Sequence, residues 1–438
     1  MISATLSVES AGYGARYAAL LRDKSGASGG PWHDDRVGLV SVDDVREART
    51  LLSGVIRETP LELSRALGAK VGGPVFLKCE NQQRTGSFKV RGAYVRIARL
   101  SAEERARGVV AASAGNHAQG VAMAAKLLGT SAMVFMPAGA PLPKVSATRE
   151  DGATVELVGH SVDEALRAAE KYAVEHDAVL IHPFDHPDVI AGQGTVGLEI
   201  LEQCPEVRTV VVGLGGGGLV SGIATAIRDG RPDTKIIAVQ AESAAAFPAS
   251  LAAGHPVALT EMHTMADGIA VGCPGDITFE HVRDLVDDVV TVTEEELSRA
   301  LLLCLERSKL VVEPAGVAAV AAILAQPRRF EPPVVAVLSG GNVDPVLLLR
   351  VIQHGMISAG RYLSFRLRVP DRPGELAGVL ALIASLGANV LDVEHSRTGP
   401  RLHLGEVQVA LSVETRGDSH CDEVVTALRK AGHTLVFG

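Results

Sequence analysis

The sequence predicts an α/β protein: open parallel sheet covered by helices on both faces, then a smaller ferredoxin-like βαββαβ module. Three observations carry that prediction. Short β-branched runs alternate with Ala-rich helical stretches from Ser41 to about residue 350. Those runs are largely apolar, as in strands buried on both faces. From about residue 358 the pattern switches to alternating strands around two helical segments.

In chain order, the first residues, through SGASGGPWHDD at 25–35, are small, polar and glycine-rich, and residues 1–40 read as a flexible extension. Ser41 is placed to cap VDDVREARTLLSGV, whose acidic first turn suits a helix. Strands are expected at 75–78 (VFLK), 108–113 (GVVAAS), 131–136 (SAMVFM), 178–181 (AVLI), 209–214 (TVVVGL), 235–240 (KIIAVQ) and 334–339 (VVAVLS). Between them lie helices such as HAQGVAMAAKLLG and GLVSGIATAIRDG. This first domain is expected over 41–355. A second, with its own small core, is expected over 360–438. There RYLSFRLRV reads as a strand, PDRPG as a turn, ELAGVLALIAS as a helix and ANVLDVEHSR as a strand. RLHLGEVQVALSVET, DEVVTALRKAG and TLVF complete it as strand, helix and strand.

Composition removes several function classes. At 438 residues, 47% hydrophobic but only 3% aromatic, the chain must build its cores from Ala, Val, Leu and Ile. A net charge of −9 and the lack of a basic stripe argue against nucleic acid or an anionic membrane as partner. The five cysteines (Cys79, Cys204, Cys273, Cys304 and Cys421) are scattered without a C-x-x-C pair, so neither a disulfide framework nor a zinc site is expected. No secretory signal and no membrane-length apolar run is visible. A soluble protein of the reducing cytoplasm is expected.

The chemistry lies in four punctuated stretches. TVVVGLGGGGLVSG at 209–222 contains Gly213, Gly215 and Gly218 in a G-x-G-x-x-G array, with Glu242 where a dinucleotide site wants an acidic residue. By itself it fits a dinucleotide, pyridoxal phosphate or tight helix–strand packing. TGSFKVRGA at 85–93 holds Lys89, either a solvated lysine opening a helix or a Schiff-base lysine. SAGNHAQG at 113–120 follows a strand and opens a helix, where free N–H groups suit a carboxylate. Its alternative is an ordinary turn. LSGGN at 338–342 ends the last strand of the first domain with Ser339.

Together the four stretches resemble the pyridoxal-phosphate enzymes of the tryptophan-synthase-β-like fold, most closely the threonine/serine dehydratase group, over roughly 45–350. The resemblance implies fold type II, with two open twisted parallel-sheet subdomains. It implies that Lys89 carries pyridoxal 5'-phosphate with Phe88 beside the ring, that Asn116 contacts the ring hydroxyl, and that Ser339 faces the pyridine nitrogen. Gly215, Gly216, Gly217, Gly218 and Leu219 would cradle the phosphate. Ser113, Ala114, Gly115, Asn116 and His117 would bind the substrate carboxylate, with Lys89, Ser113 and His117 as the catalytic set. DGIAVG at 267–272 looks like the family's segment near the cofactor. A dinucleotide site explains none of SFKVRG, SAGNH and LSGGN.

The implied reaction is β-elimination from L-threonine to 2-oxobutanoate and ammonia, and from L-serine to pyruvate. The alternatives are a serine dehydratase or racemase, another β-eliminase of the fold, or a catalytically silent amino-acid binder. K-V-R and GGGGL differ from the cysteine-synthase pattern. Ala114 stands where the resembling racemases carry a serine acid, and Pro248 replaces the third member of a metal set that would include Glu242 and Ala246, so no metal is expected. The C-terminal module resembles an ACT domain, implying an amino-acid effector, isoleucine or valine, at Asp371, Arg372, Gly374 and Asn389; the alternative is a purely dimerising module. The family's habit implies a homo-oligomer, dimer or tetramer.

Overall fold

The largely apolar runs become strands of two parallel sheets in the computed structural model, which describes residues 39–397 and 402–437. Strands β1 (Leu61–Leu63), β2 (Val75–Cys79), β7 (Thr209–Gly213), β8 (Lys235–Ala241), β9 (Asp288–Val292) and β10 (Val334–Leu338) form one sheet in the order β1-β2-β10-β7-β8-β9. Strands β3 (Val109–Ala112), β4 (Ala132–Met136), β5 (Thr154–Leu157) and β6 (Val179–Leu180) form the other, in the order β5-β4-β3-β6. Every pairing in both is parallel except β1 against β2. β3 and β10 are buried at every residue, which is why their sequences carry no alternation.

Three strands were not expected from the sequence: β1, β5 and β9. All three are sheet edges. They are short or charged (LEL, TVEL, DVVTV) and partly exposed, as edge strands that avoid foreign pairing tend to be. An edge strand needs no continuous apolar run, so the signal that exposes interior strands is missing.

Local signals elsewhere translate directly. Ser41 caps the helix Val42–Leu52: its hydroxyl accepts from Asp44 N at 3.2 Å, and the Asp44 carboxylate accepts from Ser41 N at 2.9 Å. Such a reciprocal cap is worth about 1 kcal/mol. Of the extension expected over 1–40, residues 1–38 lie outside the described residues. Val40 is buried, and its N–H donates to His281 Nε2 at 2.8 Å, so it belongs to the core.

The contacts divide the chain into two units after Pro345. The helix Pro345–Ser358 therefore groups with the second unit. That unit carries β11 (Tyr362–Pro370), helix Glu375–Ser385, β12 (Asn389–Ser396), β13 (Glu406–Glu414), helix Asp418–Lys430 and β14 (Leu435–Val436). The order is βαββαβ, and the strands pair antiparallel as β12-β13-β11-β14. Alternate residues Phe365, Leu367, Val369, Val407, Val409, Leu411 and Val413 point into a core closed by Val379, Ile383, Val424 and Leu428.

Topology positions the four stretches. β2, β10 and β7 are adjacent and parallel, with Val334 in register with Val75 and Thr209. Their carboxyl ends lead into TGSFK, SGGN and the glycine run, while β3 delivers SAGNH from the smaller sheet. Ligands of open α/β sheets sit at such strand ends.

Candidate active site

Lys89 is the first residue of the helix Lys89–Ala98. Close helix crossings hold that helix. A Cβ on Gly92 would lie 2.7 Å from Val189 O, one on Gly192 would lie 2.6 Å from Gly92 Cα, and one on Gly120 would lie 3.0 Å from the Lys89 carbonyl carbon. The glycine of SFKVRGA thus serves backbone approach. Its arginine serves a buried ion network: Arg91 binds Glu80 through Nε (2.9 Å) and Nη2 (2.8 Å), and Glu199 through Nη1 (2.6 Å). Lys78 Nζ reaches the other oxygen of Glu199 at 2.5 Å.

Lys89 Nζ donates to Pro183 O at 2.7 Å and lies 5.2 Å from the Phe88 ring centroid. Burial pushes its proton affinity down to about 8, against a partial upward pull from Glu313. A lysine so placed is a nucleophile and a base near neutral pH. The segment that receives it also packs the glycine loop. Phe184 follows Pro183, and a Cβ on Gly216 would lie 2.4 Å from its ring.

That loop opens the helix Gly218–Gly230, with Gly217 in the left-handed region at φ +98°. Leu214 N–H donates to Val239 O, and the next amide with a main-chain acceptor is that of Ser221, to Gly217 O. Among the described residues the amides of residues 215–220 between them have no main-chain acceptor, the arrangement that binds a phosphate at a helix N-terminus. Thr278 Oγ1 ties the loop down by donating to Gly216 O at 2.7 Å. A Cβ on Gly215 would lie 2.9 Å from Ile269 Cα, so DGIAVG backs the same loop.

The remaining stretches interlock. Ser87 bridges Gly340, and Phe88 N donates to Ser339 O at 3.2 Å. Asn116 Nδ2 donates to Glu313 Oε1 at 2.6 Å, and Asn116 Oδ1 accepts from Asn342 Nδ2 at 2.8 Å. Ser113 Oγ accepts from Gly115 N at 3.1 Å, shaping the turn around Ala114. His117 is buried with Nε2 2.8 Å from Ile181 O, and burial pushes it down to about 3, so its ring is neutral. Lys144 Nζ reaches Asp267 Oδ2 at 2.8 Å beside this loop, 3.5 Å from where a Gly115 Cβ would stand.

The residues present fit a phosphate-bearing carbonyl cofactor. A lysine of lowered proton affinity, a run of unpaired amides and the Asn116 amide are gathered from both sheets. Among the described residues the buried hydroxyls of Ser87 and Ser221 have no hydrogen-bond partner. Residues 52–340 match the family model described as pyridoxal-phosphate dependent enzyme. The chain belongs to that family. Its cofactor is pyridoxal 5'-phosphate. Residues 364–433 of this pyridoxal-phosphate-dependent enzyme match the ACT domain.

Relatives extend the likeness over both units. The enzyme is 46% identical over 397 residues to an L-threonine ammonia-lyase of Thermotoga maritima, covering 91% of this chain and 99% of that protein. It is 45% identical over 392 residues to an L-threonine ammonia-lyase of Geobacter sulfurreducens, covering 89% of this chain and 98% of that one. Among solved structures, the processed form of threonine deaminase isoform 2 from Solanum lycopersicum superposes with a TM-score of 0.68 at 37% identity, over 72% of this chain and 95% of that chain. Maize serine racemase does so at 0.69 and 38%, over 72% and 97%.

Asp371, Arg372, Gly374 and Asn389 are exposed in the second unit. The first three lie between β11 and the helix Glu375–Ser385, with Asp371 held by Arg397 at 3.1 and 3.2 Å; Asn389 opens β12 opposite Glu414. Among the described residues no group of three or more His, Cys, Asp or Glu side chains is arranged to hold a metal. Glu313, Asn342, Lys144 and the Pro183–Phe184 pair were not singled out from the sequence. Asn342 ends LSGGN and was within reach of that motif. A main-chain carbonyl such as Pro183 O leaves no sequence signal.

Proposed function

We propose that this enzyme is a threonine ammonia-lyase: it eliminates the β-hydroxyl of L-threonine and releases 2-oxobutanoate and ammonia, with L-serine to pyruvate as a second activity. The observation that carries the reading is the buried Lys89, its Nζ at Pro183 O and its proton affinity brought down to about 8, at the meeting point of four motif stretches. The near full-length likeness to enzymes named L-threonine ammonia-lyase supports the choice of substrate.

The bound cofactor supplies an electron sink that makes the substrate Cα–H acidic. Lys89 Nζ takes that proton. The amides of residues 215–220 would hold the phosphate, Asn116 would meet the ring hydroxyl, and Ser339 would face the ring nitrogen. With a neutral hydroxyl at that position, in place of a carboxylate, the cofactor would be a weaker electron sink, which would favour loss of the β-substituent over reprotonation at Cα. The helix start Ser113–His117 takes the substrate carboxylate. A neutral His117, donating its Nε2–H to Ile181 O, orients this loop and takes no part in proton transfer.

The ACT domain binds an amino-acid effector, isoleucine or valine, through Asp371, Arg372, Gly374 and Asn389, in a homo-oligomer of the cytoplasm. The free cysteines support a reducing compartment. A serine-racemase reading has the maize structure in its favour. Against it stands Ala114, which has no hydroxyl to act as an acid on the opposite face.

The test is a keto-acid assay across L-threonine, L-serine and their D-forms, with and without isoleucine, with chiral analysis of residual serine. Release of 2-oxobutanoate from L-threonine alone among the threonine isomers is expected. No keto acid from L-threonine, or D-serine accumulating faster than pyruvate, sinks the reading. Truncation of residues 360–438 is expected to abolish the isoleucine effect on rate.

A further inference from the structure

Glu313 has no task in the reaction as derived, yet it stands where three of the motif stretches meet. It is 3% exposed and its N–H donates to Gly340 O at 3.0 Å. Its Oε1 accepts from Asn116 Nδ2 at 2.6 Å, and Asn342 Nδ2 grips the other end of the same amide at 2.8 Å. Asn116 is therefore held from both sides by residues 197 and 226 positions away. The space for this is made by glycine: a Cβ on Gly340 would lie 2.2 Å from Glu313 Oε1 and 3.0 Å from Asn116 Nδ2.

The charged groups that act on Glu313 come from three further elements. They are Lys89 on the helix Lys89–Ala98, Lys144 on the helix Leu142–Glu150, and Asp267 in the turn Asp267–Ile269. Among the described residues none of the cations forms an ion pair with the Glu313 carboxyl; Lys144 bonds Asp267 and Lys89 bonds Pro183 O. A buried ionised carboxyl left without a close cation is costly.

We propose that Glu313 is a positioning residue: it locks the Asn116 amide for the cofactor ring and places its carboxylate charge where it acts on Lys89. The proposal rests on the reading of Lys89 and Asn116 as cofactor residues. Burial, with Asp267 adding, brings Glu313 up to about 7, and Glu313 in turn pulls Lys89 upward against its own burial. Glu313 is thus largely ionised in the range where Lys89 loses its proton.

The experiment follows the capture of pyridoxal 5'-phosphate by stripped enzyme through visible absorbance, across pH, together with the kcat/KM profile of the reloaded enzyme. In Glu313→Gln the amide oxygen still accepts from Asn116 but the charge is gone. The pH midpoint of capture is expected to fall by roughly one unit, as when a neighbouring opposite charge is removed. In Asn342→Ala the midpoint stays and cofactor affinity drops about fivefold, the loss of one hydrogen bond. A Glu313→Gln midpoint equal to or above that of the parent overturns the proposal, as does unchanged affinity in Asn342→Ala. Should Glu313→Gln fail to fold by circular dichroism, Glu313→Asp carries the test. It keeps the charge but draws the carboxyl back, so affinity falls about fivefold with the midpoint unmoved, and unchanged affinity overturns the proposal. Lys89→Ala distinguishes the two levels. If it still gives the parent's visible absorbance, the reading of Lys89 has failed; if it does not, a parent-like Glu313→Gln removes Glu313's role alone.

Discussion

Lys89 Nζ and Pro183 O lie 2.7 Å apart, and this contact joins the two halves of the site. On one side is the helix Lys89–Ala98, whose Arg91 is sunk in buried carboxylates. On the other, Phe184 leans over Gly216 in the loop that leaves six amides for a phosphate. The amine and the phosphate cradle are therefore set relative to each other by two consecutive residues, 183 and 184.

Lys89→Ala removes the amine while leaving the glycine loop intact. Visible absorbance of the cofactor-loaded enzyme should vanish, and kcat for 2-oxobutanoate release should fall at least about a thousandfold, within the range lost with a general base. Weak phosphate-dependent binding of pyridoxal phosphate should persist by equilibrium dialysis. Activity within tenfold of the parent would falsify the assignment of this lysine.

Gly216→Ala places a methyl 2.4 Å from the Phe184 ring. The ring or the loop must shift, at about 1–3 kcal/mol of overpacking. Both a lower Tm and a weaker apparent affinity for pyridoxal phosphate are expected, measured by thermal melting and absorbance titration. An unchanged affinity would mean that the loop does not hold the phosphate.

Arg91→Met leaves Glu80 and the Lys78–Glu199 pair buried with unbalanced charge. Breaking such a network typically costs about 3–5 kcal/mol. The urea midpoint should fall accordingly, and activity should fall with it because Lys89 lies two residues away on the same helix. A loss below about 1 kcal/mol would show that the network is not held together by Arg91.

Acid should destabilise the protein above the range where ordinary carboxylates titrate. Burial pushes His117 down to about 3, His186 down to about 4, and His182 well below its ordinary value, with His281 lowered too. The unfolded chain takes up protons at these rings below about pH 6.5, and the folded protein does not, so stability falls as pH drops from there. Glu313, raised to about 7, and Asp185, raised to about 6, act in the opposite sense, since the folded state holds their protons. The histidines outnumber them. Between pH 6.5 and 5 the unfolding free energy should therefore decline with a slope of roughly one proton or more. Urea midpoints that stay flat or rise over that interval would contradict this balance.

Interior strands were legible because burial on both faces writes an unbroken apolar run, as in VVAA of β3 and VVAVL of β10. The edges β1, β5 and β9 were not, because an exposed edge imposes no such run. For the site, the sequence by itself determined the local chemistry. A lysine three residues from a glycine on either side at a helix start, a glycine run after β7, and Ser-x-Gly-Asn turns after β3 and β10 each depend on a few consecutive residues. That these stretches meet was implied by the family resemblance, and only the tertiary structure decided what holds them there. Pro183 O, Glu313 and Asn342 act across separations of 94, 197 and 226 residues. The lowered affinity of Lys89 and the raised one of Glu313 arise from desolvation. Burial is a property of the packed sheets around a residue, and no local stretch of sequence contains it.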